Sequence, residues 1–468
     1  MITIGYCTKK IDPEFRDYIE KSSGVHKVEV IPFENPGTHS LSEAYNIILE
    51  KASNDIVVLC HDDLYFEKKN WGNKLLKHFK RNPEYGILGV AGTKFFPKSA
   101  RWWEINTEML GIVNHQQGDK KWTSKYSESK GSKLDDSIIV DGLFIAINKN
   151  KIKHNFDERF DGFHFYDLGF CFKNYIENVK IGVLYDIRIT HLSVGQTNQK
   201  WENNRLKFLA FYEDKLPILI PTLFDKKPIK NGEPLVTLAM PIYNYAKRLN
   251  PTLQSVFSQD YTNFEITIVN DGSDDEYCLM KLDSLEEQEG IRIIHKENTG
   301  VSDTRNVAVR EGKGEYILPL DADDMILPGY LKTGVNLIKK NPKISPVYCD
   351  TIHVGEMQGL EKRPEWSPER LLSGPFIVNS SMYSREAYES IEGYNTEMKG
   401  WVDYDLWVQM MDAGFIGKRI PKGLFVYYHH ESEGKGSVST SARQNMQQLH
   451  KTILDRHKLR NITNSDEE

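Results

Sequence analysis

The sequence predicts two α/β domains in tandem, each a mixed sheet flanked by helices, and three observations point to this. The first is residues 314–325, GEYILPLDADDM, where an apolar run from Tyr316 to Leu320 ends in Asp321, Asp323 and Asp324. Acidic residues delivered at the carboxyl end of a buried strand mark the ligand-binding edge of an open α/β sheet. The second is an internal repeat. Displaced by 260 positions (323 − 63), TGVSDTRNVAVREGKGEYILPLDADD (299–324) lies on HSLSEAYNIILEKASNDIVVLCHDDL (39–64) without a gap. Ser302 falls on Ser42, Asn306 on Asn46 and Asp323 on Asp63. Identities are few, but the order of capped helix, polar turn, apolar strand and acidic terminus is kept. The third is length: 468 residues hold two to four domains, and so long a period marks repeated domains, since solenoid repeats are much shorter.

In chain order, Ile2–Cys7 reads as a strand, Pro13–Ser22 as a helix and Lys27–Phe33 as a strand. His39–Lys51 has helical spacing, with Ser40 or Ser42 able to cap it. Asp55–Cys60 is a strand ending in His61-Asp62-Asp63. Residues 96–137, with Trp102, Trp103 and Trp122, read as a long functional loop or lid, or a disordered segment. Phe163–Phe170 heads a helix, and Lys180–His191 is one strand ending in histidine. Pro217–Pro234 reads as an extended linker between domains 1–216 and 235–440, followed by a helix and tail over 441–468 whose last dozen residues fray. In the second half Leu235–Met240 is a strand, Pro241-Ile242-Tyr243-Asn244 a turn and Asn250–Gln259 a helix. Phe264–Val269 is a strand running into Asn270–Asp275. Gly400–Trp407 heads a helix, and Gly423–His430 is a strand with histidines at its end.

Composition narrows the function classes. A net charge of −6 with 27% charged residues gives no sign of a nucleic-acid partner. The five cysteines are odd in number and form no CxxC pair, which argues for a reducing compartment and against a disulfide framework. No apolar run approaches the roughly 20 residues that span a bilayer, and the N-terminus lacks a signal peptide's layout. The expectation is a cytoplasmic protein, with peripheral association at the inner face of the membrane, and its oligomeric state, left open.

Three carboxylates packed as closely as Asp321, Asp323 and Asp324 repel one another unless a cation or donors offset them. Hard oxygen ligands suit Mg²⁺ or Mn²⁺ held together with a substrate's phosphates; a solvated acidic turn is the plainer alternative. The strand ends at Pro241–Asn244 and Asn270–Asp275 deliver polar turns to the same edge, where a nucleotide can be received.

PIYN (241–244), VNDGSDD (269–275), NTGVSDTRN (298–306), LDADD (320–324) and VDYDLW (402–407) together resemble the family 2 glycosyltransferases of the A-type fold. The motifs span about 200 residues in the family's order. The resemblance implies a Rossmann-like sheet and a nucleoside-diphosphate sugar donor bound by the turns at Pro241 and Tyr243. Asp271 would meet the base, Arg305 the phosphates and Asp321 the ribose. Asp323 would bind a divalent cation, Mn²⁺ or Mg²⁺, and His429 or His430 would complete its shell or meet the diphosphate. Where the family carries Glu-Asp, this chain has Val402-Asp403, so Asp403 stands alone as general base, with Asp405 as the alternative and a helix N-cap as its bland role. The first half resembles a more divergent branch of A-type glycosyltransferases through Tyr166-Asp167 and HLSVG (191–195). There Asp63 and His191 would hold the metal, Asp62 would face the donor and Asp167 would act as base or orienter.

The expected function is a bifunctional, metal-dependent, inverting transfer of sugars to a glycan, glycolipid or glycoprotein acceptor. The alternative is one active C-terminal site beside a scaffolding or glycan-binding N-terminal domain. Two rival classes stand beside it. A nucleotidyltransferase would need a basic pyrophosphate-gripping loop near the first strand, where PIYNYAKR supplies only Lys247 and Arg248. The other is a non-catalytic binding protein on the same fold.

Overall fold

The computed structural model describes residues 1–127, 133–193, 195, 197–222, 224, 232–429 and 446–465. The chain forms two compact units, Met1–Ile220 and Pro221–Glu468, each α/β as expected.

In the first unit seven strands lie in the order Leu134–Ser137, Lys180–Leu184, Tyr85–Gly89, Phe144–Asn148, Ile56–His61, Ile2–Thr8, Val28–Glu34. Ile2–Thr8 pairs parallel with both Val28–Glu34 and Ile56–His61, and Phe144–Asn148 runs antiparallel to Ile56–His61. Ile56–His61 reads as an unbroken apolar run because helices cover the sheet and both of its faces are buried. The helix Leu41–Lys51 begins with a capping box: Ser40 accepts from the Glu43 N–H, and the Glu43 carboxylate accepts from the Ser40 N–H at 2.7 Å. Ser40 is therefore the cap, and Ser42 is buried inside the helix.

In the second unit Ile291–Lys296, Phe264–Asp271, Val236–Ile242 and Tyr316–Pro319 run parallel, and Tyr383–Ser384 adds an antiparallel edge. The order Val28–Glu34, Ile2–Thr8, Ile56–His61, Phe144–Asn148 thus recurs, with the same directions, as Phe264–Asp271, Val236–Ile242, Tyr316–Pro319, Tyr383–Ser384. A smaller sheet recurs as well. Leu64–Phe66, Ile189–His191, Met109–Gln117 and Lys120–Lys125 are matched by Met325–Ile326, Ile416–His429, Ile344–Gly355 and Gly359–Glu361. The repeat is one of whole topology.

Three expectations are corrected. Within residues 96–137, expected as a loop or disordered segment, Met109–Gln117 and Lys120–Lys125 make a hairpin that turns at Gly118, φ +59°. The hairpin reads as loop because Lys120–Lys125 alternates between exposed and half-buried residues and so carries few apolar ones. Lys180–His191 is two strands in two sheets, broken at Tyr185–Arg188. In the segment 217–234, expected as an extended linker, the described residues pack each on its own unit. Ile218–Leu219 pairs with Phe95–Phe96 in the first unit, and Phe224 stacks on Phe257 in the second with ring centroids 5.2 Å apart. Last, the helix Met446–Ser465 runs through residues expected to fray, because Ile453 is fully buried and Arg456 pairs with Glu392 at 2.6 Å. Among the described residues no helix is long and apolar enough to cross a membrane.

Residues 221–468 expressed alone are expected to unfold in one cooperative transition, since the unit has its own core. Phe224→Ala in that fragment should cost about 3 kcal/mol by removing a buried ring. Urea denaturation checks both; a fragment indifferent to the loss of Phe224 would show that the stacked ring does not hold the segment.

Candidate functional site

In the second unit the parallel strands end on one edge, and two turns meet there. Asn244, in the left-handed region at φ +49°, accepts from the N–H groups of Asp274 and Asp275 at 2.8 and 2.9 Å. Its own N–H donates to Ser273 at 2.9 Å. Pro241 lies in the strand just before this turn, and Tyr243 is 51% exposed at its tip. Asp271 closes the neighbouring strand and is buried. Its carboxylate accepts from Lys296 Nζ at 2.6 Å and from the Thr299 and Gly300 N–H groups at 2.9 and 3.0 Å. Burial raises its pKa, but the Lys296 ammonium and the Thr299 N–H prevail and hold it below the ordinary carboxylate value. These bonds orient the start of the helix Val301–Glu311.

That helix carries Arg305, buried, whose guanidinium donates to both oxygens of Asp321 at 2.7 and 3.1 Å. Its Nε is buried with no hydrogen bond among the described residues. Asp321 and Asp323 stay half-exposed after the strand Tyr316–Pro319, while Asp324 is buried and accepts from the Tyr428 N–H at 3.2 Å. Burial, then the charges of Asp323 and Asp321, push the Asp324 carboxyl well up. Asp403 stands in the first turn of Val402–Asp412 and is not its cap, a position Trp401 takes at φ +54°. Burial raises the Asp403 carboxyl, opposed by the charge of Arg305, the arginine that binds Asp321. The position at which the family carries the second acid, Val402, belongs to the hydrophobic core. Asp405 is fully buried, accepts from the Gln409 amide at 2.8 Å and lies 3.6 Å from Arg456; it is a structural residue, which removes it as the alternative base. His429 lies 2.8 Å from His353, itself 2.8 Å from Glu361, within the smaller sheet. His430 lies outside the described residues.

In the first unit His61, Asp63 and His191 converge at the end of Ile56–His61. Oδ1 of Asp63 is 3.3 Å from His191 Nε2 and 4.0 Å from His61 Nδ1. Burial raises the Asp63 pKa, but the hydrogen bond and charge of His191 outweigh it and hold the carboxyl at about 2. Asp62, beside them, is exposed. Asp167 occupies the place that Asp403 has in the second unit: first helical turn, after an aromatic residue, Phe165, at φ +64°. Burial, then Asp141, push its carboxyl up to about 7, although the Gly142 N–H donates to it at 2.8 Å. Reading by sequence missed His61 as a partner of Asp63, and with it Tyr166, whose hydroxyl is 3.0 Å from His61 Nε2. The signal was present, because His61 stands at the repeat position of Asp321.

Residues 17–213 match the model of a glycosyltransferase-like family, and residues 237–392 match glycosyl transferase family 2. The chain is 28% identical to the chondroitin synthase of Escherichia coli over 185 residues, 39% of this chain and 27% of that protein. It is 28% identical to the hyaluronan synthase of Pasteurella multocida over 214 residues, 44% of this chain and 22% of that protein. An uncharacterized glycosyltransferase of Haemophilus influenzae is 27% identical over 221 residues, 45% of this chain and 74% of that protein. The chain therefore spans about a quarter of the length of the two synthases. Among solved structures, S. aureus TarS 1-349 in complex with UDP-GlcNAc matches 44% of this chain and 62% of that one at 20% identity and a TM-score of 0.38.

Asp167 makes a pH-dependent prediction. Its folded pKa of about 7 lies above the unfolded value of about 3.9, so the folded state favours the protonated acid. The stability this gives is full below about pH 4 and is lost as pH rises through about 7. Asp167→Asn should therefore gain thermal stability relative to the unmutated chain between pH 5 and pH 8. An equal difference in Tm at both pH values would refute the raised pKa.

Proposed function

We propose, for a chain that is a tandem of two glycosyltransferase domains of the family 2 type, that both units are catalysts. Each would take a sugar from a nucleoside-diphosphate donor and pass it, with inversion, to a glycan, glycolipid or glycoprotein acceptor. The observation that carries this reading is the pairing, in each unit, of acidic strand-end residues with an acid in the first turn of a following helix: Asp321, Asp323 and Asp403, and Asp63 and Asp167.

The residues fit the groups such a reaction needs. A donor's diphosphate is anionic, and the buried Arg305 offers an Nε with no hydrogen bond among the described residues. Asp323 would offer the carboxylate oxygens that suit Mg²⁺ or Mn²⁺, beside Asp321 on the ribose, and Asp63 with His191 would hold the cation of the first unit through one oxygen and one nitrogen donor. A divalent cation, when bound, offsets negative charge on a departing diphosphate. Tyr243, exposed beside the Asn244 turn, would cover a base. Asp271 keeps the loop 296–300 in position through its three bonds, and one of its oxygens would have to serve the base as well.

Asp403 would accept the proton of the acceptor hydroxyl as that oxygen attacks the anomeric carbon. Its raised pKa favours proton uptake, and the charge of Arg305, which opposes the rise, keeps the ionised form accessible. Asp167 would do the same in the first unit. The proposed setting is cytoplasmic, with the acceptor bringing the protein to the membrane if it is lipid-linked.

Asp403→Asn should lower kcat by about 10²–10⁴ with little change in donor affinity; lost donor binding at unchanged kcat would move Asp403 into the donor pocket. Asp63→Ala should remove one sugar addition and spare the other, and Asp323→Ala should do the converse, as read by mass spectrometry of the product. An unchanged product and rate with Asp63→Ala would leave the first unit as a scaffold.

A further inference from the structure

We infer that the N-terminal unit binds its cation through three side chains, His61, Asp63 and His191, and that this site takes a transition-metal ion and rejects Mg²⁺. The inference rests on the reading above that this unit holds a cation, and adds a third ligand and the class of ion.

The distances have the dimensions of a coordination sphere. His191 Nε2 is 3.3 Å from His61 Nδ1 and 3.3 Å from Asp63 Oδ1, and those two atoms are 4.0 Å apart. Metal–ligand bonds of about 2.0–2.1 Å at a tetrahedral angle separate donor atoms by roughly 3.4 Å. Hydrogen bonding alone accounts poorly for the cluster. His191 Nε2 carries at most one proton, yet it faces His61 Nδ1, Asp63 Oδ1 and, at 3.1 Å, Ser193 Oγ. A cation would use the lone pairs of all three side chains at once.

His61 is held for this task from behind. Its Nε2 is 3.0 Å from the Tyr166 hydroxyl, and an Nε2–H donated there leaves the Nδ1 lone pair bare and aimed at His191 and Asp63. Tyr166 is itself buried, and its hydroxyl occupies space that only a glycine at 142 leaves open, since a Cβ there would overlap it. The His191 side chain is 9% exposed, against 31% for His61 and 28% for Asp63, so the cluster opens on one side. That opening leaves positions for substrate oxygens.

The comparison between units explains why position 61 is available. Its repeat counterpart, Asp321, is bound by Arg305. The counterpart of Arg305 is Tyr45, a neutral group whose hydroxyl donates to the Cys60 carbonyl at 3.3 Å. An ion pair in one unit is thus replaced by an imidazole and a phenol in the other, which frees the side chain at 61 to turn toward the ion. Imidazole suits zinc, iron, cobalt and nickel, whereas Mg²⁺ demands oxygen ligands in near-octahedral array.

The test uses the full chain carrying Asp323→Ala, stripped with chelator and titrated with Co²⁺ while its visible absorption is recorded. One equivalent should bind with a d–d band, and a hundredfold excess of Mg²⁺ should not displace it. Added His61→Gln or His191→Gln should weaken binding at least tenfold, and Tyr166→Phe about tenfold, as expected for a partner that orients a ligand. Pulsed EPR of Mn²⁺ bound to the same chain should show two imidazole nitrogen couplings, which needs no change at the ligands themselves. Loss of binding with Asp63→Ala but not with His61→Gln, or displacement by Mg²⁺, would overturn the inference and leave the cation reading standing. No bound ion at all would overturn both.

Discussion

One asparagine in each unit holds the two halves of its site together. Asn306, on the helix that carries Arg305, donates to the Tyr394 carbonyl at 2.8 Å and accepts from the Tyr394 N–H at 2.9 Å. Asn46 does the same with Phe156, at 3.0 and 2.9 Å. Each amide satisfies both backbone groups of a residue far along the chain, and a buried backbone left without partners would be costly. The clamp fixes the approach to the helix whose first turn bears Asp403 or Asp167. The clamp adds a polar tie to the shared cores, in which Val307 and Ile317 pack in one cluster with Val402 and Leu406, and Tyr45 and Leu59 in one with Tyr166 and Leu168.

On this shared frame the two sites differ in electrostatics. In the second unit Arg305 pairs with Asp321 and its charge acts on Asp403, so positive charge is built into the protein and one acid is already neutralised. The first unit carries Tyr45 at the matching position. Asp167 answers instead to burial and Asp141, and Asp63 to two histidines. The same architecture therefore places a guanidinium against an acid in one copy and two imidazoles against an ionised carboxylate in the other, and the two sites need not share donor, ion or pH range.

Much of the fold was legible. Apolar runs such as Ile56–His61 and Phe264–Asp271 announce buried parallel strands, because burial on both faces removes polar positions. The helices at 41–51 and 301–311 and their following strands are visible through the repeat, which also pairs Asn46 with Asn306. The hairpin Met109–Lys125 was hidden, since its second strand carries few apolar residues. The break between Lys180–Leu184 and Ile189–His191 was hidden for another reason: both pieces are apolar, and nothing local says that they enter different sheets.

What the sequence determined by itself is the doubled α/β topology, the edge on which the acids gather and the residue types that gather there, because these follow from periodicity, spacing and repetition along the chain. Only the tertiary structure decided which acids face an open site and which serve the frame. Asp403 and Asp405 are two residues apart on one helix, and the helical turn leaves the first half-exposed and sends the second into the core beside Gln409. His61 likewise became a partner of His191 only when strands 130 positions apart in the chain ended at the same place. Local pattern specifies where a backbone goes, and the charge and burial of a side chain depend on what distant segments bring against it.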